Sequence, residues 1–278
     1  MIQVSYHKLD LEVNKIDYLV FDLEFNQDYN PAKKDRNIIT PKCPFEIIQI
    51  GAVKLDENLQ TISFLDRLVK PQIYTTINPF VKEMTGITMD LLDTAKPFKE
   101  IYEEFIEFTT GTTSILCVWG MTDMRELFRN IEYHGLDMSP IPKEYINLQL
   151  YASKYFNCSK GVNIGLHNAI ELLHIPVKKQ FHNAFNDACY TVEVFKKIYN
   201  KDIKPCIYNP NKYIRRNTDN SERKKIDTYR LIKQFEKMFN REMSTEEQSI
   251  IKLAYMMGKT NQFQTEICNN LSIKKDKK

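Results

Sequence analysis

Glycine and proline are scarce in this chain, with 8 and 11 among its 278 residues. So little of either excludes a collagen-like protein, and a content of 42% apolar residues is too high for a disordered one. Residues 1–15 lack the continuous apolar stretch of a signal peptide or membrane helix. We therefore expect a globular, cytoplasmic protein with one large domain and an appendage, or with two small domains.

Cysteine pairs with the spacing of metal ligands are also missing. The six cysteines are scattered, without a Cys-x-x-Cys pair and without a histidine at zinc-ligand spacing. The sequence thus predicts neither a structural zinc site nor a disulfide framework. We interpret the cysteines as reduced residues that contribute mainly to packing.

Charge is distributed unevenly along the chain. Residues 1–200 contain 21 Lys and Arg against 26 Asp and Glu, a net of −5, whereas residues 201–278 contain 18 against 10, a net of +8. An acidic core with a basic extension suits a metal-using enzyme that acts on a polyanion. A basic tail that is merely solvated accounts for the same distribution equally well.

Apolar and β-branched runs predict the strands, and helical spacing predicts the helices. The strands are expected over residues 16–21, 47–55, 62–69 and 115–119, the first three as an antiparallel meander. The helices are expected over residues 79–84, 90–92, 97–109, 122–134, 148–156, 164–173 and 183–199, with Thr122 as a cap. This order indicates an α/β or α+β domain with a mixed sheet that ends near residue 200.

The carboxyl-terminal extension is predicted to be mainly helical. Pro205 and Pro210 indicate a linker. A charged helix is expected over residues 221–240, followed by a helix with the capping box Ser244-x-x-Glu247 and a stop at Gly258. The predicted division is therefore a domain over residues 1–200 and an extension over residues 201–278.

Two acids at the end of the first strand indicate a metal site. Side chains alternate along a strand, so Asp22 and Glu24 lie on one face and Leu23 on the other. Two neighbouring carboxylates at the end of a buried strand repel each other unless a cation neutralises them. Oxygen ligands favour Mg²⁺ or Mn²⁺. The alternative is that both carboxylates lie just past the strand, in solvent.

A later helix supplies a third acid and a histidine. Asp187 lies on the same helical stripe as Ala184 and Ala188, small residues that would let the helix approach the sheet closely. His182 precedes this helix and is a candidate general base, because its ordinary pKa is near neutral. Asp123 follows the fourth strand, where an acid in the first helical turn also fits the helix dipole. A cap or surface role is the alternative for His182.

Together these residues resemble the DEDDh 3′→5′ exonucleases of the RNase H-like superfamily. Asp22-Leu23-Glu24 is similar to their first motif, and Asp123 after a strand is similar to the second. The His-x-Ala-x-x-Asp-Ala pattern at residues 182–188 matches the third. Residues 47–55 and the turn at residues 82–88 are similar to further family segments. Within the family the chain most resembles the KapD and Eri-1-like exoribonuclease branch.

The resemblance implies a fold, a mechanism and a substrate. The fold would be RNase H-like, with a central mixed five-stranded sheet flanked by helices. Two divalent cations, Mg²⁺ or Mn²⁺, would be held by Asp22, Glu24, Asp123 and Asp187, with His182 as general base. The substrate would be single-stranded RNA or DNA, with RNA favoured, degraded from its 3′ end to nucleoside 5′-monophosphates. For substrate binding, backbone amides and an apolar contact to the terminal nucleotide are expected from Thr85, Gly86 and Ile87. Stacking on its base is expected from Leu23 or Phe25, although core packing explains these two residues equally well.

Three alternatives remain open at the level of sequence. A proofreading-type DNA exonuclease would use a similar set of acids. A catalytically silent nucleic-acid-binding module would not need four metal ligands. The segment over residues 244–273 also faintly resembles a helix-turn-helix, although the chain ends where a recognition helix would begin.

Overall fold

The structure, a computed structural model, describes residues 16–28, 43–110, 113–159, 161–210 and 228–259. The chain divides into two compact units, Met1–Asn217 and Thr218–Lys278. The domain boundary predicted at residue 200 stays a prediction. Among the described residues, no helix has both the length and the apolar character that crossing a membrane requires.

A single mixed sheet forms the centre of the first unit. Its strands run in the spatial order β4-β3-β2-β1-β5-β6-β7. Strand β1 lies at the centre, antiparallel to β2 and parallel to β5. Over the described residues the strands are β1 (Ile16–Asn26), β2 (Glu46–Leu55), β3 (Thr61–Lys70), β4 (Lys96–Pro97), β5 (Thr113–Val118), β6 (Glu144–Asn147) and β7 (Cys206–Ile207).

The predicted RNase H-like α/β architecture is confirmed, but the described part of the sheet has seven strands rather than five. The three strands that the residue pattern did not show are short. Strands β4 and β7 contain two residues each, and β6 contains four. Segments this short cannot show a period of two, so only their pairing with neighbouring strands reveals them.

Helices cover both faces of the sheet. On one face Leu19, Phe21 and Leu23 pack in a buried cluster with Phe105 and Leu127. The opposite face is covered by the last of the described helices of this unit. The described helices of this unit are α1 (Pro79–Thr85), α2 (Met89–Asp93), α3 (Phe98–Thr109), α4 (Thr122–Tyr133), α5 (Leu148–Tyr155), α6 (Leu166–Leu172) and α7 (Ala184–Ile198).

The described part of the second unit contains two helices, α8 (Thr228–Phe239) and α9 (Thr245–Lys259). The predicted capping box is confirmed: the Ser244 hydroxyl accepts from the Glu247 backbone N–H, and the Glu247 carboxylate accepts from the Ser244 backbone N–H. The predicted stop at Gly258 is wrong, because α9 continues to Lys259. The first part of the predicted helix over residues 221–240 lies outside the described residues.

Candidate active site

Strand β1 places two carboxylates on one face of the sheet. The strand continues through Asp22 and Glu24 to Asn26, so the acids lie within it and not in solvent beyond it. Asp22 is half-buried and Glu24 is only 8% exposed. Strand alternation puts both acids on the face that α7 covers, while Leu23 lies on the opposite face. A register shift between Glu24 and Phe25 interrupts regular pairing with β2 directly after the second acid.

Helix α7 brings the third carboxylate to this face. Ala184 and Ala188 are fully buried against the sheet, as their small size predicted. The close approach also requires Gly51 on β2, because a Cβ atom there would lie 2.1 Å from the backbone nitrogen of Phe185. Gly51 pairs directly with Asp22. The contact between the α7 backbone and Gly51 therefore fixes the distance between Asp187 and the acids of β1.

The three acids Asp22, Glu24 and Asp187 form one compact group. Carboxylate oxygens, one from each residue, all lie within 4.8 Å of one another. The Asp187 Oδ2 atom accepts a hydrogen bond from the backbone N–H of His182 at 3.1 Å. Its Oδ1 atom is buried and has no hydrogen-bond partner within the described part of the chain. An oxygen-only donor set with one buried, unpartnered oxygen fits a hard divalent cation.

Burial raises the pKa of every acid in the group, and repulsion by neighbouring carboxylates adds to the rise for Asp22 and Glu24. Desolvation, reinforced by Asp123, raises the pKa of Asp22 well above its usual value. Desolvation, reinforced by Asp187, raises the pKa of Glu24 to about 8. Desolvation also raises the pKa of Asp187 to about 6, although the N–H of His182 acts in the opposite direction. Without a counter-charge, these carboxylates are held in an environment that disfavours ionisation.

Asp123 approaches the same site from the neighbouring strand. It is 6% exposed and lies in the first turn of α4, after β5, which runs parallel to β1. It is not one of the three acids within 4.8 Å, but its charge raises the pKa of both Asp22 and Glu24. Burial raises the pKa of Asp123 itself to about 7. Thr122 is not the N-cap predicted from sequence: Met121 occupies that position, and Thr122 is the first helical residue.

His182 lies at the exposed edge of the group. Its backbone has a φ of +61°, a left-handed conformation that is uncommon outside glycine. Partial desolvation lowers the pKa of its imidazole, which favours the neutral form. The backbone bond to Asp187 connects this residue directly to the acids. The next residue, Asn183, caps α7 by accepting a hydrogen bond from the Asn186 backbone N–H.

The expected substrate-binding turn differs from the prediction in one respect. We expected Thr85, Gly86 and Ile87 to offer backbone amides to a nucleotide. However, the amide of Gly86 donates to the Lys82 carbonyl, and the amide of Ile87 donates to the Thr85 hydroxyl. The Ile87 side chain is 4% exposed and packs in a small core cluster. The amides of Gly86 and Ile87 are therefore already used within the protein.

The two apolar residues flanking Glu24 also differ in their surroundings. Leu23 is 4% exposed and belongs to the core on the face opposite the acids, so the packing interpretation fits it better than contact with a base. Phe25 is half-buried, and its ring makes an edge-to-face contact with the ring of Phe45. Of the two side chains, only that of Phe25 is partly accessible.

Sequence reasoning missed two polar residues that position the site. Gln49 is 2% exposed, and its side-chain amide nitrogen donates to Asp66. Its Oε1 atom accepts from the Ala184 backbone N–H, which connects β2 to the start of α7. Asn26 is fully buried and bonds to the Thr76 carbonyl and the Asn78 amide, which connects the end of β1 to the segment before α1. A single polar residue within an apolar strand was the available signal for Gln49.

The fold and the clustered acids define a nuclease of the RNase H-like class. A family model described as Exonuclease, of the RNase T type, matches residues 19–195, which is more than half of the chain. The chain therefore belongs to this exonuclease family and, within it, to the DEDDh group. The more specific placement in the KapD and Eri-1-like branch stays a prediction.

Individual relatives are distant and differ in length. The 3′-5′ exonuclease crn-4 of Caenorhabditis elegans is 25% identical over 202 residues, which cover 67% of this chain and 64% of that protein. The PolC-type DNA polymerase III of Streptococcus pneumoniae strain D39 is 27% identical over 168 residues, which cover 59% of this chain and 10% of the polymerase. The chain thus spans about a tenth of the length of the PolC-type polymerases that it matches.

Solved structures share the fold. The nuclease domain of 3′hExo, a DEDDh family member bound to rAMP, superposes with a TM-score of 0.57 at 20% identity and covers 72% of this chain and 99% of that domain. The structure of cell-death related nuclease 4 has a TM-score of 0.57 at 20% identity, with coverage of 69% and 66%. At such identities the likeness is one of fold.

Proposed function

We propose that the chain is a metal-dependent 3′→5′ exonuclease that hydrolyses single-stranded nucleic acid and releases nucleoside 5′-monophosphates. The convergence of Asp22, Glu24 and Asp187 within 4.8 Å is the observation that carries the proposal. Three carboxylates in one place, one buried and two half-buried, are costly unless they bind a cation. Family membership supports the reaction class, and the polarity of degradation follows from the same family.

The proposed cofactors are two divalent cations, Mg²⁺ or Mn²⁺. When bound, such cations activate water and stabilise the leaving oxygen of the scissile phosphate. Asp22, Glu24 and Asp187 would hold them, and Asp123 would complete the set from α4. The unpartnered Oδ1 atom of Asp187 supports this assignment, because a buried carboxylate oxygen requires a partner.

We assign the role of general base to His182. Its position beside the acids and its backbone bond to Asp187 would hold the imidazole next to the attacking water. A neutral imidazole can accept the proton of that water during attack on the phosphate. The left-handed backbone at residue 182 supports a functional role, because such conformations persist where a site demands them.

Phe25 is the residue that we propose for contact with the terminal base, because it follows Glu24 in the chain and its ring, which packs against the core beside Leu23, is partly accessible. Thr85 and Gly86 would form the surface of the turn at the end of α1 that the nucleotide contacts. Leu23 and Ile87 would support this surface from the core. The basic extension over residues 201–278, proposed as a separate part of the chain, would add attraction for the polyanion.

RNA is the first substrate that we propose and DNA is the second. One structural neighbour is a nuclease domain bound to rAMP, whereas the PolC-type relatives are DNA polymerases. Discrimination would depend on contacts to the ribose 2′-hydroxyl. A direct comparison of the two substrates is therefore part of the test.

The test is degradation of 5′-labelled single-stranded RNA and DNA of one sequence, with Mg²⁺, Mn²⁺ or a chelator. We expect a metal-dependent ladder of shortened 5′-labelled products, absent for Asp22→Asn and retained for the control Glu193→Gln. Glu193 lies on α7 but is exposed and pairs with Lys196. If neither substrate is degraded while both are bound, the chain is a binding module and the proposed activity is refuted.

A further inference from the structure

An exposed aromatic surface lies beside the candidate site, on the first part of β3, which among the described strands pairs only with β2. Phe64 is 67% exposed, and its ring centroid lies 5.5 Å from that of Phe185 on α7. The Nζ atom of Lys179 lies 5.1 Å from the centroid of the Phe185 ring. We refer to Phe64, Phe185 and Lys179 as the Phe64 surface. An exposed ring beside a half-buried ring that has a cation above it is a recognised setting for nucleobases.

The surrounding fold holds the Phe64 surface in place. Phe64 pairs with Val53 on β2, in the regular part of the sheet. Phe185 belongs to the first turn of α7, whose backbone contacts Gly51. The backbone N–H groups of Lys178 and Lys179 both donate to the Tyr190 hydroxyl, at 3.1 and 2.8 Å, which anchors their loop to α7. The rings are thus presented by regular elements and an anchored loop.

The same short segment carries both this surface and the site. Phe185 lies three residues after His182 and two residues before Asp187. On the sheet, Gly51 pairs with Asp22 on one side and with Asp66 on the other. Phe64 lies two residues before Asp66 on β3. The Phe64 surface therefore continues from the acids toward the edge of the sheet.

Charge at this surface favours a polyanion. Lys178 and Lys179 are both exposed, and in the described ranges no carboxylate lies within ion-pair distance of Lys179. The nearby acid Asp66 accepts a hydrogen bond from Gln49. A cation that is not neutralised, placed over an aromatic ring, suits stacked bases joined by phosphates better than an apolar protein partner.

We propose that the Phe64 surface stacks bases of the single-stranded substrate on the 5′ side of the scissile bond. This inference rests on the proposed function, because the 3′ end must lie at Asp22, Glu24 and Asp187. Nucleotides upstream of that end would then extend across α7 toward β3. Affinity should consequently depend on substrate length.

The test compares Phe64→Ala, Phe64→Trp and Lys179→Ala in the full chain. The matched control is Ile207→Ala, since Ile207 is also 67% exposed but lies on β7 at the opposite end of the sheet. Binding of a labelled single strand of roughly 12 nucleotides, within the range of single-strand sites, is measured by fluorescence anisotropy in chelator. The second readout is the ratio of kcat/KM for that strand to kcat/KM for a dinucleotide.

For Phe64→Ala we expect affinity and the kcat/KM ratio to fall about tenfold, the effect of losing one stacked base. Lys179→Ala should also lower the affinity and the kcat/KM ratio, and the loss should be larger at low salt. Phe64→Trp, which retains a stacking ring, and Ile207→Ala should both behave like wild type.

Unchanged affinity in Phe64→Ala would overturn the proposal, as would an equal loss of affinity in Phe64→Ala and Phe64→Trp. A second copy of the chain is the competing occupant of this first part of β3, where the strand has no outer neighbour among the described strands. Light scattering tests it: a dimer that Phe64→Ala converts to monomer without affecting strand binding would also overturn the proposal. The anisotropy result requires no catalysis, so it stays separate from failure of the exonuclease proposal itself.

Discussion

The backbone N–H of His182 donates to the Oδ2 atom of Asp187, leaving the Oδ1 atom of the same carboxylate buried and without a partner in the described chain. One oxygen is thus anchored to the segment that presents the candidate base. The carboxylate as a whole stays within 4.8 Å of Asp22 and Glu24. This relationship links the base and the metal site through a single side chain.

Removal of the Asp187 charge should abolish hydrolysis while preserving the fold. In Asp187→Asn the amide retains the shape of the side chain but loses the charge, so we expect the rate of mononucleotide release to fall by more than about 100-fold. Single-turnover assays with saturating Mn²⁺ provide the measurement, with Asp202→Asn in an exposed turn as control. Wild-type rates in Asp187→Asn would exclude this residue from the site.

Stability and activity should separate at His182. A left-handed residue other than glycine carries strain of about 1 kcal/mol, which glycine does not. His182→Gly should therefore keep or gain up to about 1 kcal/mol in the free energy of unfolding while kcat falls by on the order of 100-fold. Denaturant unfolding and kcat are measured in parallel, and His182→Ala should lose activity without the gain in stability. Full activity in either variant would argue against a general-base role.

Metal-free protein should lose stability as the pH rises from about 5 to 8. The pKa values of Asp187, Asp123 and Glu24 are raised to about 6, about 7 and about 8, above their values in an unfolded chain. In this window the folded state binds more protons than the unfolded state, so the free energy of unfolding decreases with increasing pH. Thermal unfolding in chelator across this pH range measures the slope of the free energy of unfolding against pH.

Two changes should reduce that slope. Added Mn²⁺ or Mg²⁺ should flatten it, because a bound cation compensates the ionised carboxylates and stabilises the folded state by mass action. Glu24→Gln in chelator should flatten it by removing one of the raised groups. The same slope in wild type and Glu24→Gln would show that the acids are not the source of the pH dependence.

A methyl group at Gly51 should separate α7 from the sheet. In Gly51→Ala the new Cβ atom would lie 2.1 Å from the Phe185 nitrogen and 2.2 Å from the Ala184 carbonyl carbon, so backbone must move. We expect a loss of about 3 kcal/mol in the free energy of unfolding, as overpacking typically causes. Urea unfolding measures it. Gly165→Ala is the control, because a Cβ atom there would meet nothing within 4 Å; an equally small effect at both positions would contradict the predicted role of the contact.

The sequence by itself determined the long elements and the identity of the candidate residues. Apolar runs showed β1, β2 and β5, and alternation of apolar and polar residues showed β3, because strands of six or more residues leave a readable pattern. The small residues Ala184 and Ala188 identified the face of α7 that carries Asp187. The family motifs identified the class of protein. Strands of two to four residues left no such pattern.

Only the tertiary structure decided how these residues meet. The packing of α7 and α4 against the sheet decides which acids form one group. It brings Asp187 to Asp22 and Glu24 and leaves Asp123 slightly apart. The placement of Leu23 in the core likewise depends on contacts between distant segments. The bonds that occupy the amides of Gly86 and Ile87 are local, but only the folded turn shows them. Spacing along a chain specifies which face of an element a side chain occupies, whereas distances between elements follow from packing. At this site the contact between Gly51 and the α7 backbone sets the distance between the helix and the sheet.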